Sequence, residues 1–394
     1  MLPLSLFNFV YYWSFSVFVA FVPLYFQGIG LSPGEIGALL AIGPFVSIFS
    51  QPFWGYMSDR KGAIKRVVVF LLIITLFVSS AVFIGKTFWI ISVSMALFYF
   101  FMSSIQPLAD SIATVYTQTH RKNYGAIRMW GSIGFSSASF AIGLLISYIG
   151  IGKIGYIYAT IIVISLLVSF RLPDAAQQSG QVSRQGGQAS KKEIRTIARN
   201  KTFLPFLFAV MLISIPHRMN DNMLGLYMQS LGGTEAQIGT AWTIAALSEA
   251  PVIGLMALVM RKVHPLLLIS LAGFLYSLRW LLYSLIDTPS VLMYTQVFHS
   301  VTFAVFLVAA FQYVTSLVPR ELLATGQTIF FAVFSGLSGI IGSALGGYLV
   351  EKAGGVFMYQ TASAIALLGA ALCGVMFWGL KKNNKTRTVQ ETVA

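Results

Sequence analysis

Residues 106–135 read QPLADSIATVYTQTHRKNYGAIRMWGSIGF and place two opposite charges in apolar surroundings. The carboxylate of Asp110 lies near the end of one apolar run, and the guanidinium of Arg128 lies at the start of the next. A short basic turn, His120-Arg121-Lys122, separates them. Charges in lipid-embedded segments are costly and are usually kept for function. The stretch therefore predicts two membrane-spanning helices that are joined by a basic turn and carry functional charges.

The composition of the whole chain supports this interpretation. The 394 residues are 57% hydrophobic and 10% charged, whereas soluble domains are about 25% charged. The net charge of +14 would suit nucleic acid, but the basic residues lie between apolar runs, so a membrane is the expected partner and nucleic acid is not. Cys373 is the single cysteine, which excludes an internal disulfide. The first apolar run lacks a basic leader and is long enough to span, so no cleavable signal peptide is expected.

Twelve segments reach the roughly 20 apolar residues that a membrane span requires. An even number puts both termini on one side. With that side inside, inner loops and tails hold 21 of the 26 Lys and Arg residues, outer turns hold three, and two lie within spans. This asymmetry predicts a multi-pass protein of the cytoplasmic membrane with both termini cytoplasmic. The predicted spans are 4–27, 35–57, 67–85, 88–116, 124–149, 152–171, 202–230, 235–261, 265–286, 289–317, 321–350 and 355–380.

One long polar stretch divides the spans six and six. Its Gln, Ser and Gly residues favour disorder, and its KKEIRTIAR segment favours a short basic surface helix. The layout is typical of a transporter with two repeated halves. A faint repeat, GLSPGEIG at 30–37 and GGTEAQIG at 232–239, agrees with it. The predicted domains are an N-terminal six-helix bundle (1–171), a cytoplasmic linker (172–200), a C-terminal six-helix bundle (201–381) and a cytoplasmic tail (382–394).

The loop after the second span carries a recognisable motif, GYMSDRKGAIKR at 55–66. It resembles the signature loop of the major facilitator superfamily, which has a glycine, an Asp-Arg pair, a second glycine and a basic pair between spans two and three. Gly55 would permit close helix approach, Asp59 would cap a helix end or pair with a cation to hold the inner face shut, and Gly62 would turn the chain. Arg60 and Arg66 supply the basic positions. The resemblance implies an all-α membrane fold with twelve helices in two pseudo-symmetric bundles.

Within that superfamily the chain is similar to the proton symporters that include lactose permease, the phenylpropionate permeases and, more distantly, nucleoside symporters. The similarity covers nearly the whole chain. The residues that carry it are QPFWGYMSDRKG (51–62), NYGAIRMWGSIGF (123–135), LSEAPV (247–252), SLRW (277–280) and 296–316.

This resemblance implies a solute site in the N-terminal half. Asp110 and Arg128 fall where lactose permease has the carboxylate and arginine that hold its sugar, and Gln106 is in the same stretch. A carboxylate accepts two hydroxyl hydrogens and a guanidinium donates in a planar fork. Phe135 falls where the permease stacks an indole on the sugar ring. Two alternatives stay open: the charged pair is a structural ion pair that gates the inner side, and Phe135 is ordinary packing.

The resemblance also implies a proton site in the C-terminal half. Glu249, Arg279 and His299 lie on spans eight, nine and ten near the midplane, and match the residues by which lactose permease couples sugar to protons. Asp221, three residues after Arg218 on the seventh span, is a further candidate. One departure is important: Thr302 stands where that permease has its main proton-releasing carboxylate. Proton carriage would then fall to Glu249 first, or to Asp221 or His299.

The expected function is a secondary transporter that imports a sugar or oligosaccharide with a proton by alternating access. The alternatives are an aromatic carboxylate or a nucleoside as solute, or a membrane sensor without a transport cycle. Sugars rank first because Asp110 would repel an anion. We find no metal-ligand spacing, nucleophile elbow or phosphate loop, so no enzyme, metal or cofactor is expected, and the proton gradient is the driving force. The expected partners are the solute, protons and lipid, and the chain is expected to be a monomer.

Overall fold

The structure is a computed structural model that describes residues 1–174, 200, 202–319 and 322–393, with side chains left out at 257, 324 and 383–393. The described residues form helices and connecting turns without strands, which confirms the all-α prediction. Most of the predicted linker 172–200, including its basic surface helix, lies outside the described residues, as do the side chains of most of the predicted tail.

The described helices are long and apolar enough to span a membrane, and we label them in chain order. The first six are α1 Leu2–Gly28, α2 Pro33–Lys61, α3 Ile64–Ile84, α4 Phe88–Thr119, α5 Tyr124–Ile149 and α6 Ile151–Ser169. The next four are α7 Phe203–Ser230, α8 Glu235–Val259, α9 Pro265–Leu285 and α10 Pro289–Leu317. The last range, Thr325–Lys382, is interrupted at Gly354, where φ is 81° and ψ is 170°. We label its two parts α11 (325–353) and α12 (355–382), which brings the described spans to the expected twelve.

Local signals in the sequence set several helix ends. Ser32 caps the start of α2 and Thr234 caps the start of α8, and in both cases the third residue of the helix, Glu35 or Gln237, bonds back to the cap. These paired capping boxes lie in the two faintly repeated segments. At its other end α2 continues to Lys61, four residues beyond the predicted end, and stops where Gly62 adopts the left-handed conformation.

The helices alternate in direction between two faces of the bundle. We call the face with the turns at Gly62, Arg121 and Arg261 the basic face, because cations concentrate there. The other face, which we call the opposite face, carries the turns at Gly30 and Gly232. Within the N-terminal half, α1 packs on α5 and α6, and α3 packs on α4 and α6.

Two crossings of small residues join the halves near the opposite face. Where α5 crosses α8, a Cβ added to Gly239 would lie 3.1 Å from the Cα of Gly143. Where α2 crosses α11, a Cβ added to Gly37 would lie 2.9 Å from the Cα of Gly347. Gly37 of the first repeated segment thus lies at one crossing, and Gly239 of the second repeated segment lies at the other. Only residues without side chains allow backbones to approach this closely.

The halves separate toward the basic face. On the α2–α11 side, the Cγ of Pro44 would lie 2.9 Å from a Cβ at Gly339, but Ile48 would lie 4.0 Å from one at Gly336. A Cβ at Gly55, further along α2, would meet nothing within 4 Å. The structure is therefore closed at the opposite face, and the interior between the halves widens toward the basic face.

Three spans contain irregular helical turns at the level of the interior. A π-helical segment, Val17–Phe21, interrupts α1, and another, Ala332–Leu337, interrupts α11. In α10 a 3₁₀ segment, Thr295–Phe298, is followed by a π-helical segment, Ser300–Ala304. Such π segments occur frequently at functional sites, and α10 carries His299 between its two irregular segments.

Candidate functional site

Asp110 lies in a hydrogen-bonded cluster between α1, α4 and α5. The side-chain amide of Gln106, one turn earlier on α4, donates to Asp110 Oδ1 at 2.9 Å and to Asn8 Oδ1 at 3.1 Å. The Tyr124 hydroxyl is a further hydrogen-bond partner of the carboxylate. Gln106 and Asn8 are buried, while Asp110 is partly exposed. The cluster orients the carboxylate and leaves it acceptor capacity for a solute.

Arg128 reaches the same interior from the first turns of α5. Its guanidinium carbon lies 4.6 Å from the centroid of the Tyr12 ring, a cation–π contact. Among the described residues, the ion pairs do not include one between Arg128 and Asp110. The alternative of a direct gating ion pair therefore does not describe this conformation. The guanidinium keeps donors that a solute could use.

Phe135 lies on the same side of α5, two turns beyond Arg128. It is partly exposed, and its ring meets Trp242 of α8 edge-on, with centroids 6.2 Å apart. The contact joins the two halves, since α5 belongs to one and α8 to the other. Phe135 is thus part of the junction between halves, and this does not decide between a solute contact and packing.

In the C-terminal half, Arg279 is at the centre of a buried polar cluster. The residue is 3% exposed. Its Nε donates to the Tyr283 hydroxyl at 2.8 Å, one terminal nitrogen donates to Gln296 Oε1 at 2.8 Å, and the other donates to Thr302 Oγ1 at 3.1 Å and to His299 Nδ1 at 3.2 Å. All four partners are neutral groups or a histidine acceptor. In the described part of the structure, the guanidinium is therefore held by these groups without an ion pair to a carboxylate.

The hydrogen bonds around His299 decide its tautomer. Arginine only donates, so His299 Nδ1 accepts from Arg279 and carries no proton. Its Nε2 lies 3.1 Å from Glu249 Oε1 and carries the hydrogen that it donates. The neutral imidazole thus connects a cation on α9 to a carboxylate on α8. The structure brings the three predicted residues into one chain of contacts.

Asp221 lies beside this chain rather than within it. Its carboxylate pairs with Arg218 at 3.1 Å and lies 3.4 Å from His217 Nε2, both on α7. The His217 ring stacks on Phe303 with centroids 4.8 Å apart, and His299 stacks on Phe303 at 5.0 Å. The two histidine centroids are 5.7 Å apart. Asp221 is therefore close to the Glu249 cluster but contacts it through stacked rings.

Thr302 has a definite place in this arrangement. Its hydroxyl, at the position where the sequence departs from lactose permease, accepts from Arg279 at 3.1 Å. A hydroxyl satisfies the guanidinium donor without neutralising its charge. With a hydroxyl at Thr302, the described contacts link Arg279 to the carboxylate of Glu249 through the His299 ring.

The signature loop lies at the basic face. Gly62 turns the chain after α2 with φ of 55°, as its position predicted. Asp59 and Arg60 are exposed, and neither forms an ion pair among the described residues, while Arg66 lines a cavity of about 320 Å³ at the start of α3. The close helix approach expected at Gly55 is wrong for this conformation, because open space surrounds it. The halves have separated here, and within the described part of the chain no ion pair links Asp59, Arg60 or Arg66 to the other half.

Several residues of the two clusters were not predicted from the sequence. Tyr283 lies one helical turn after Arg279 on α9, and Trp242 lies two turns before Glu249 on α8. Spacings of four and seven residues place these side chains on the faces that carry the predicted charges. A search for polar aromatic residues at those spacings would have found them. The hydroxyl of Tyr124 gave no such signal, because it reaches Asp110 from the neighbouring helix.

Comparison with known proteins agrees with the fold and the class. Residues 1–361 match the MFS_1 like family. The chain is 28% identical to the maltose permease of Geobacillus stearothermophilus (90% of this chain, 89% of the relative) and 25% identical to the probable 3-phenylpropionic acid transporter of Escherichia coli strain K12 (92% and 94%). The crystal structure of nucleoside transporter NupG superposes with a TM-score of 0.79 at 18% identity, covering 97% of this chain and 98% of the other.

These relatives are transporters, which confirms the prediction of a transporter rather than an enzyme. The described helices and the relatives together confirm a multi-pass membrane protein. With a family match that spans most of its length, the chain belongs to the MFS_1 like family of the major facilitator superfamily.

Proposed function

We propose that this secondary transporter imports a sugar or oligosaccharide together with a proton. The observation that supports this best is that each half contributes a different polar cluster to the interior. The N-terminal half supplies Asp110 and Arg128, which can hydrogen-bond a solute. The C-terminal half supplies the contacting residues Glu249, His299 and Arg279, which can bind a proton. Relatives named as a maltose permease and as sucrose and raffinose permeases favour the same solute class.

The proposed orientation has the basic face in the cytoplasm. Turns at this face contain Arg121 and Lys122, and Arg261 and Lys262, whereas the turns of the opposite face contain few cations. Excess Lys and Arg on short loops is characteristic of the cytoplasmic side. The structure is then closed to the outside and widens toward the cytoplasm. In alternating access, the glycine crossings would separate as the signature loop, with Asp59, closes the inner face.

The proposed division of the chain follows the same logic. We take 1–171 and 201–381 as the two moving bundles, 172–200 as the cytoplasmic linker and 382–394 as a cytoplasmic tail. The chain works as a monomer in the cytoplasmic membrane, because each bundle finds its partner within the chain. Lipid surrounds the two bundles, and the proton gradient drives transport.

Proton transfer is proposed to occur at Glu249. In the observed arrangement the neutral His299 ring lies between Arg279 and Glu249, and its Nε2 donates to the Glu249 carboxylate. Movement of α8 relative to α9 and α10 would break the Glu249–His299 bond. A carboxylate that loses its donor in a low-dielectric interior takes up a proton more readily. Alternation between the two arrangements would therefore load and release one proton, without any carboxylate at position 302.

A second solute class has its own support. No described carboxylate forms an ion pair with Arg128, and one relative is named as a probable 3-phenylpropionic acid transporter. An aromatic carboxylate could bind its anion to Arg128. Asp110 opposes this, because its carboxylate lies in the same cluster and repels an anion unless it is protonated. A nucleoside would need only hydrogen-bonding groups and stays a further alternative.

Reconstitution in proteoliposomes tests the proposal. With an imposed pH gradient, we expect accumulation of radiolabelled maltose coupled to proton entry, and little accumulation of 3-phenylpropionate. Absence of pH-driven accumulation for every solute tested would refute proton coupling. Counterflow of labelled solute, which needs alternating access but no proton, separates a transporter that is uncoupled from a sensor that does not transport.

The variant Glu249→Gln makes the coupling test specific. We expect it to lose pH-driven accumulation while counterflow continues, because glutamine keeps the hydrogen bond to His299 but cannot exchange a proton. The matched control is Asp287→Asn, a carboxylate in the exposed turn before α10, which should retain both activities. Full pH-driven accumulation by Glu249→Gln would exclude Glu249 as the carrier.

A further inference from the structure

Two aromatic rings meet above the charged clusters, at the junction between the halves. Phe135 of α5 and Trp242 of α8 contact edge-on with their centroids 6.2 Å apart. The residues that follow them are also joined, because the Thr243 hydroxyl donates to the Ser136 carbonyl oxygen at 3.0 Å. We call the two rings the aromatic roof. They lie between the charged interior and the glycine crossing of Gly143 with Gly239.

The roof faces the same interior as the charged residues. Arg128 and Phe135 are seven residues apart on α5, and Trp242 and Glu249 are seven residues apart on α8. Seven residues are almost two full helical turns, so each pair shares one helix face. The two helices run in opposite directions. Each therefore presents its ring toward the closed face of the protein and its charge about 10 Å nearer the basic face, at 1.5 Å per residue.

Trp242 brings an unused donor to this position. The residue is 6% exposed, and its indole Nε1 is buried without a hydrogen-bond partner among the described residues. A buried N–H without an acceptor is unfavourable and uncommon in native proteins. Phenylalanine would fill similar space without an unpaired donor, so the indole adds a hydrogen-bond donor that packing at this junction does not require.

We propose that Trp242 determines specificity for a polyhydroxylated ring, which it recognises by donating its indole N–H to a sugar oxygen while the roof covers the apolar face of the ring. The inference rests on the proposed function and selects between its solute classes. A sugar offers acceptors around its whole ring. An arylpropionate bound through its carboxylate at Arg128 would present only carbon and hydrogen to the roof, and the indole donor would stay unpaired.

The arrangement also accounts for Phe135. By the resemblance, Phe135 falls where lactose permease stacks an indole on its sugar, and phenylalanine lacks the indole donor. The structure places an indole against that phenylalanine from α8 of the other half. A solute that contacts both rings would contact both halves at the point where they meet, so its binding would respond to their relative movement.

The test compares binding of two probes to the full-length protein in detergent by equilibrium dialysis. The probes are radiolabelled maltose and 3-phenylpropionate. The variant Trp242→Phe keeps an aromatic ring and removes the N–H. A second variant carries benzothienylalanine at position 242, which replaces the N–H by sulfur in a ring of the same shape and guards against misfolding. The control is Trp89→Phe, a tryptophan that is 76% exposed at the start of α4.

We expect both changes at position 242 to weaken maltose binding about tenfold, the effect of one lost hydrogen bond that leaves a partner unpaired. Trp89→Phe should bind maltose like the wild type. Maltose analogues that each lack one oxygen should identify the acceptor. One analogue should bind the wild type more weakly than maltose does, and the same analogue should bind the position-242 variants as well as maltose does.

Two outcomes overturn the inference while the proposed function stands. One is wild-type maltose affinity in the benzothienylalanine protein. The other is tight wild-type binding of 3-phenylpropionate that falls as much as maltose binding when the N–H is removed. If the wild type binds and transports neither probe, the proposed solute classes fail and the inference fails with them.

Discussion

Adding one methyl group at the glycine crossing between α5 and α8 should shift the equilibrium between the state that is closed at the opposite face and the state that is open there. In Gly239→Ala the new Cβ would press on the carbonyl oxygen of Ser139 and lie 3.1 Å from the Cα of Gly143. Both neighbours are backbone atoms, so the helices themselves must move apart. Overpacking of this kind costs about 1–3 kcal/mol. The cost applies only to the state that is closed at the opposite face, since separated helices have room for a methyl group.

The expected shift follows from that difference between states. A bias of about 1–3 kcal/mol changes an equilibrium constant about 5- to 150-fold. The helix-forming advantage of alanine over glycine acts in both states and cancels. Gly239→Ala should therefore raise the population that is open at the opposite face by this factor. Gly37→Ala at the other crossing should act in the same direction, because its Cβ would lie 2.5 Å from the Ser343 carbonyl oxygen.

Distances between spin labels measure the shift directly. Labels on Lys86→Cys and Asp287→Cys report across the halves at the opposite face, where both residues are exposed. The background is Cys373→Ser, which removes the single native cysteine. Double electron–electron resonance should show a larger long-distance population for Gly239→Ala than for its parent.

The control lies on the same helix. A Cβ at Gly254 of α8 would meet nothing within 4 Å, so Gly254→Ala should leave the distances unchanged. Identical distance distributions for Gly239→Ala, Gly254→Ala and the parent would refute the claim that the glycine crossing limits opening. A shift with Gly254→Ala as large as that with Gly239→Ala would refute the assignment of the effect to the crossing.

Two further predictions concern the solute site and the closed face. Asp110→Asn should weaken maltose binding about tenfold or more, because a charged acceptor is lost, with little change in thermal stability. Equilibrium dialysis measures the affinity and a thermal-shift assay measures the stability. Unaltered affinity would remove Asp110 from the site. Glu351→Gln should increase the long-distance population, because the Glu351 carboxylate of α11 accepts from Ser32 Oγ at 2.7 Å and from Gly34 N at 2.9 Å at the start of α2 in the other half. High salt should produce part of that increase in the wild type by screening the attraction of the carboxylate to the N-terminus of α2. An unchanged population in Glu351→Gln would show that this contact does not hold the closed face.

Much of the fold could be read from the sequence because its signals are local. Each span is an apolar run whose length is set by the bilayer. The observed ends agree with the predicted ones to within about four residues, except that the last helix continues to Val393, beyond the predicted end at 380. The capping residues Ser32 and Thr234 act on the turn that follows them. Membership of Glu249, Arg279 and His299 in one cluster was predicted from the resemblance and from their similar depth.

Other properties of the site depended on distant parts of the chain. The neutral partners of Arg279 come from a neighbouring turn and another helix. The His299 tautomer depends on contacts with Arg279 of α9 and Glu249 of α8. The close approach expected at Gly55 was wrong here because it depends on which state of the bundle is observed. No local pattern distinguishes a glycine that faces another helix from one that faces lipid.

The sequence by itself therefore determined the spans, the helix ends, the family and which charges are buried in the membrane region. Hydropathy, capping and charge cost are properties of short segments, and they hold whatever the neighbours are. Only the tertiary structure decided that Gly143 meets Gly239, that Trp242 lies against Phe135, and that Glu249 is reached from Arg279 through an imidazole. Those contacts join residues on different helices, and they exist only where the packing of the bundle brings the helices together.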